Sequence, residues 1–188
     1  MAIALGLGLA PLPYDLLLVL RQLPIVFATH MIASGLALIL IPITAFARRH
    51  RQTHRVLGRL TAVSVVIGGL TALPVAAASE AVAAARAGLF TQGVVWLALI
   101  SMAVAAIRRG DAARHATLMI AMAAVASGAV WLRLVMAVAV ARHLPFETIY
   151  GVAAWACWVV PLALTQLRLA NRTAVAWLAP GFPNVPSR

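Results

Sequence analysis

Five apolar stretches dominate the chain between residues 24 and 169, at about 24–46, 56–78, 88–107, 116–141 and 148–169. Breaks rich in Arg, Gly or Pro separate them. A bilayer core of about 30 Å takes roughly 20 helical residues, so each stretch is long enough to cross it. Lipid offers peptide groups no hydrogen bonds, so each span must be a helix that satisfies its own backbone. No polar connection exceeds about a dozen residues, which leaves no soluble domain between the spans. Such short connections make consecutive spans antiparallel neighbours. The expected fold is all-α, an integral membrane bundle of five transmembrane helices over residues 24–169.

Composition excludes the soluble alternatives. The chain is 64% hydrophobic and 10% charged over 188 residues, with a mean hydropathy of +1.00. A water-soluble domain of this size has too little interior to hide so much apolar surface. A soluble enzyme, a disordered chain and a secreted disulfide scaffold are all ruled out. The single cysteine, Cys157, lies inside a span and reads as a small buried core residue.

The two ends read differently. Residues 1–23 are apolar, but no positive charge opens them, and Pro11, Pro13 and Asp15 interrupt them. They read as a short N-terminal interfacial helix and turn. A sixth span over residues 1–20 is the alternative. Residues 170–188 carry Trp177 and Phe182 among Pro180, Pro183 and Pro186, the composition of a partly disordered interfacial tail.

Charge sets the expected orientation. Fifteen basic residues, all Arg, stand against four acids, for a net charge of +11. One side of the bundle collects Arg48, Arg49, Arg51, Arg55, Arg59, Arg108, Arg109, Arg114, Arg168 and Arg172. The other collects Arg21, Arg86 and Arg142, beside Asp15, Glu80 and Glu147. The positive-inside bias puts the basic loops in the cytoplasm. No aromatic residues alternate with these arginines as a base-stacking surface requires, so nucleic acid is not the partner.

Ionisable residues within spans are functional-site candidates, because hydrocarbon penalises them by several kcal/mol. His30 lies six residues into the first span. Arg133 lies in the fourth, at similar depth toward the less basic side. Together they suggest a polar pocket, with His30 as proton carrier or ligand and Arg133 as anchor for an anionic group. The competing reading has Arg133 snorkelling or bonded to carbonyls, and His30 fixing helix packing. Arg133 is 18 residues, five whole turns, from His115, so it shares a face with His115, Met119 and Met122. That face predicts an Arg133 turned into the bundle, near His30 and Gln92.

His54 and His115 form the more specific pair. Both open a span on the basic side, at one depth, as two axial ligands of one haem must. Arg55, Arg59, Arg108, Arg109 and Arg114 surround them and suit haem propionates. A solvated loop histidine is the competing reading for His54. Small residues line the same faces: Ser34 and Ala37 beyond His30, and Gly58, Thr61, Gly68 and Ala72 beyond His54. Such faces serve close helix packing or make room for a flat cofactor. Metalloprotease, serine-hydrolase and phosphate-loop templates are missing, and no paired carboxylates lie within the spans.

An ordered set of motifs carries a family resemblance. It runs through His30 and Gly35, His54-Arg55 with Gly58, Gly88-Leu89-Phe90 with Trp96, and Gly110-Asp111 before His115 and Met119. Leu132-Arg133 and then Trp155 and Trp158 complete it. The chain resembles an uncharacterised bacterial family of predicted multi-pass membrane proteins with a domain of unknown function, over about residues 27–167. The resemblance implies that His30, His54, His115 and Arg133 are the characteristic polar positions. It departs from the family at Leu118, where a Trp is usual, and at Gln166, where an acid is usual. A more distant likeness to membrane b-type cytochromes is an analogy of fold.

Two functional expectations arise. In the first, the protein binds haem b, or handles quinone, for electron transfer. His54 and His115 are then the iron ligands, with His30 and Arg133 in a separate polar pocket. In the second, it is a cofactor-free accessory or assembly subunit packed against other membrane subunits, with Trp96, Trp131, Trp155 and Trp158 facing a partner or lipid. A transporter fits less well, because neither inverted repeats nor midplane helix breaks are evident.

Overall fold

Prolines, glycines and short polar runs set the helix ends. The structure is a computed structural model that describes residues 14–178, with side chains for residues 17–171. A short helix α1 (Tyr14–Gln22) leads into α2 (Pro24–Phe46), whose first turn opens on Pro24, where a missing N–H costs nothing. A 3-10 turn over Ala47–Arg49 links α2 to α3 (Arg51–Ala77). The remaining helices are α4 (Ala83–Arg108), α5 (Ala112–Ala141) and α6 (Phe146–Leu178). Helices α2 to α6 are each long and apolar enough to cross a membrane. Among the described residues the fold is an all-helical membrane bundle with five helices able to span, preceded by a short helix.

Several helices outrun their apolar stretches. Helix α3 begins at Arg51 rather than near Val56, because nothing in Arg51-Gln52-Thr53-His54-Arg55 breaks a helix. Helix α6 continues through Pro161 to Leu178, past the expected end at 169, with no further proline until Pro180. Hydropathy marks where lipid lies, whereas the backbone can stay helical beyond it. The sixth-span alternative rests largely on residues 1–13, and the tail's prolines on residues 179–188, both outside the described residues. Helix α1, at nine residues, is about 14 Å long and does not span.

Neighbours in sequence are neighbours in space. The most extensive interfaces are α2–α3 and α5–α6, and α4 packs against α3, α5 and α6. Helices α2 and α5 touch only lightly. The central core is Ala37, Val65, Trp96, Ile100, Met122, Val125 and Trp158, one or more from each spanning helix. Helix α1 is pinned by Val19 against Phe27 and Met31, with Val75 beside them. Large side chains such as Leu36, Leu70, Leu134 and Val152 point outward, as a lipid-facing surface requires.

The small-residue faces of α2 and α3 are a packing seam. A Cβ added at Gly68 would lie 2.7 Å from Ser34 Oγ and 3.2 Å from the Ser34 backbone nitrogen. Backbones approach that closely only where a side chain is missing. At this level the seam is closed, and a flat cofactor has no room in it.

Candidate functional site

Three histidines lie on helices, and all three make the same kind of bond. His54 sits in the first turn of α3, and its Nδ1–H donates to the Thr44 carbonyl of α2 at 2.9 Å. His115 sits in the first turn of α5, and its Nδ1–H donates to the Ala103 carbonyl of α4 at 2.9 Å. His30, in α2, donates from Nδ1 to the Gly68 carbonyl of α3 at 3.0 Å, with Ser34 Oγ 3.4 Å from the same nitrogen. A carbonyl oxygen only accepts, so each Nδ1 carries the proton. In a neutral ring this leaves Nε2 as a lone pair. Fixing one ring nitrogen on a carbonyl is how proteins orient imidazole ligands and set their tautomer.

At the basic end the local sequence builds these positions. Gly110 turns the chain after α4, and Asp111 caps α5 by accepting the Arg114 N–H at 2.9 Å. The Gly110-Asp111 motif is therefore a stop and start that delivers His115. Beside His54, the Thr44 hydroxyl donates to Thr61 Oγ1 at 2.9 Å, while Thr61 donates to the Leu57 carbonyl at 2.8 Å. Both threonines are buried, so α2 and α3 are tied by side chains as well as backbone. His54 is half-buried and anchored to a neighbouring helix, which corrects its reading as a solvated loop residue.

Gly58 stands one turn beyond His54. A Cβ there would meet only Thr44 Cγ2, at 3.9 Å. Packing does not demand this glycine, in contrast to Gly68. Helices α3 and α5, which carry His54 and His115, sit on either side of α4, and the two rings share an end of the bundle but no hydrogen bond.

Arg133 departs from its expected place. It is exposed, and its guanidinium donates to the Ala129 carbonyl of its own helix at 2.6 Å. Gln92 instead donates to the Val125 carbonyl at 3.0 Å. The shared helical face does not bury Arg133: its neighbours Val130, Trp131 and Leu134 are also exposed, although Ala139 further along α5 is buried. Arg133 remains within electrostatic reach of His30 and of Tyr150 on α6. Tyr150, one of two tyrosines in the chain, belongs to no motif that the sequence pattern singles out.

The tryptophans divide. Trp131 and Trp155 are exposed, and Trp155 Nε1–H donates to the Ala84 carbonyl at 2.9 Å. Trp96 and Trp158 are buried in the central core, and their indole N–H groups have no hydrogen-bond partner. They cannot present a face to a partner or to lipid. Met119 packs against the same core. A surface depression of about 350 Å³ along α3, lined by Gln52, Thr53, Val56 and Leu57, includes none of the candidate polar residues. Among the described residues no three His, Cys, Asp or Glu side chains gather as a metal-holding group.

No curated protein and no solved structure matches the chain. A family described as "predicted membrane protein", DUF2306, matches residues 27–169, a range that takes in all five spans, the three anchored histidines and Arg133. By that match the chain belongs to the predicted membrane protein family DUF2306.

Proposed function

We propose that this chain is a small electron-transfer protein of the bacterial inner membrane, with its basic end cytoplasmic. In this reading His54 on α3 and His115 on α5 would hold haem b at the arginine-rich end of the bundle. The observation that carries this reading is the shared Nδ1–H bond to a neighbouring helix's carbonyl, which presents each Nε2 as a ligand lone pair. Haem brings four nitrogen ligands of its own, so it asks the protein for two and not for a larger cluster. His54 and His115 are two imidazoles of the required type at one end of the bundle. Gly58 beside His54 is not required by packing, since a Cβ there would make only an ordinary contact with Thr44.

The chain's own contributions are positional and electrostatic. The carbonyls of Thr44 and Ala103 hold the two rings by their Nδ1 atoms, which fixes the tautomer of the neutral ring and its orientation. Exposed Arg55, Arg59, Arg108, Arg109 and Arg114 supply positive charge for propionates at the same end. The apolar core beyond excludes water. Haem held there would supply one-electron chemistry.

The test is an oxidised and dithionite-reduced spectrum of detergent-purified protein from haem-supplemented cells. A Soret band with a sharp reduced α band is expected, abolished by His54→Ala and by His115→Ala but retained by His30→Asn. A protein with no Soret band overturns the reading. Its recovery with a stoichiometric membrane partner in mild detergent would establish the accessory-subunit alternative.

A further inference from the structure

Thr44 is gripped at two atoms by one neighbouring helix. It lies in the last turn of α2, where carbonyls run out of helical N–H partners. Its carbonyl accepts the His54 Nδ1–H at 2.9 Å, and its hydroxyl donates to Thr61 Oγ1 at 2.9 Å. His54 and Thr61 both belong to α3, about two turns apart, and so stand on one face of it. Thr61 is fixed in turn, because its own proton goes to the Leu57 carbonyl at 2.8 Å. That commitment makes Thr61 Oγ1 the acceptor and sets the direction of the Thr44 hydroxyl. A Cβ built on Gly58, between the two gripping residues, would lie 3.9 Å from the third end of Thr44, its Cγ2.

Burial makes this grip consequential. Thr44 and Thr61 are 3% and 0% exposed, so water does not reach them. A buried hydroxyl left without its partner costs more than the bond itself gains. Without Thr61 Oγ1, the Thr44 hydroxyl has to turn back to a carbonyl of its own helix, a bond that bends helices. The last turn of α2 would then shift the carbonyl on which His54 depends. His115 has no such support, because its acceptor is the carbonyl of Ala103, which has no polar side chain. Gly68, the acceptor for His30, has no side chain at all.

We propose that Thr61 is a positioning residue for His54, acting through Thr44. By holding the Thr44 hydroxyl it fixes the carbonyl that selects the Nδ1–H tautomer of the neutral His54 ring and leaves Nε2 as the accepting atom. Neutral histidine in water prefers the opposite tautomer, so Nδ1–H at His54 reports the grip directly. The inference deepens the haem reading, because His54 is one of its two iron ligands, and rests on it only for what Nε2 then does. The tautomer needs no haem.

The experiment uses the full chain, labelled with ring-¹⁵N histidine, in phosphatidylcholine nanodiscs without haem at about pH 9, where imidazole is neutral. The two ring-nitrogen shifts give the tautomer of each histidine, and the His54 signals are identified by their loss in His54→Gln. The parent is expected to hold His54 as Nδ1–H. Thr61→Val, of nearly the same shape, should raise the ratio of Nε2–H to Nδ1–H about fivefold, the worth of one hydrogen bond. Thr44→Val should do the same. The double variant should do no more than either alone, since both remove one bond. Thr61→Ser, which keeps the hydroxyl, should restore the parent tautomer, and His30 and His115 should hold theirs throughout.

A parent His54 that is Nε2–H or mixed overturns the inference. So does a tautomer unmoved by both valine variants, or effects that add in the double variant. If His30 and His115 change along with His54 in both valine variants, the threonine pair holds up the whole bundle and not one ring, and the inference again falls. A colourless protein with the expected tautomers defeats the haem reading alone. A protein that binds haem but whose His54 ignores both valine variants defeats this inference alone.

Discussion

The two halves of the bundle use one device in two settings. At the arginine-rich end, His54 and His115 reach across helix interfaces to backbone carbonyls, and the buried Thr44–Thr61 pair ties α2 to α3 beside them. In the far half His30 makes the same reach to Gly68, but there the helices meet backbone to side chain, with Ser34 pressed on a glycine. The first half holds its helices with polar bonds between side chains and backbone. The second makes such bonds too, from His30, Gln92 and Trp155, but adds a seam where Ser34 packs on a glycine, and it carries a charge with no carboxylate partner among the described residues. A ring anchored by Nδ1 is thus a structural unit that serves at either depth, and what differs is the chemistry left facing its Nε2.

The largest expected effect tests that seam. Gly68→Leu forces a side chain into Ser34, including its backbone nitrogen, which cannot move without moving α2. Overpacking of this kind costs about 3 kcal/mol. It should also break the His30 bond, while the His54 and Thr44–Thr61 bonds near the other end persist. Unfolding in mixed detergent micelles measures the loss. A variant as stable as the parent would mean that the seam can open, and the contrast between the halves would fall.

Arg133→Leu gives a smaller effect of opposite sign. Removing an exposed guanidinium that has only its own helix's carbonyl should raise stability by about 1–2 kcal/mol, less than the cost assigned to a charge at a helix centre. Insertion should be unaffected, because the arginines of the opposite loops remain. The same unfolding assay decides. A clear loss of stability would reveal that Arg133 holds the bundle together, and the far half would no longer be the one with an uncompensated charge.

Much of this is legible in the sequence, and the failures have specific causes. The five long apolar helices are legible because hydrocarbon thickness and helical rise leave little freedom in their length. The second span starts earlier than its hydropathy suggests, because hydropathy does not register a helix that continues through Arg51, Gln52 and Thr53. That gap is what makes His54 look like a loop residue. Arg133 is misplaced by counting turns from His115. Counting turns identifies a face of a helix but does not say which of its residues a neighbour covers. The carbonyl partners of the histidines leave no trace in the sequence, since Thr44, Gly68 and Ala103 accept through their backbones.

The smallest expected effect compares two chain reversals, one at each end of the bundle. After α4, the Gly110 N–H donates to the Ile107 carbonyl at 3.1 Å and the Asp111 N–H to Ala106 at 3.0 Å. After α5, the His143 N–H donates to Val140 at 3.1 Å and the Leu144 N–H to Ala139 at 2.9 Å. The pattern is the same, and both central residues are left-handed, with φ of 80° for Gly110 and 52° for His143. Only glycine adopts that conformation without a steric penalty. No atom lies within 4 Å of a Cβ built on Gly110, so Gly110→Ala isolates the backbone term and should cost about 1 kcal/mol. The reciprocal change, His143→Gly, relieves the same strain but gives the unfolded chain more freedom, so its gain should be smaller, about 0.5 kcal/mol. Should His143→Gly instead destabilise the protein by more than Gly110→Ala does, the imidazole of His143 would have to make a contact that outweighs its backbone strain. The far-end reversal would then be a second place where that half depends on a histidine.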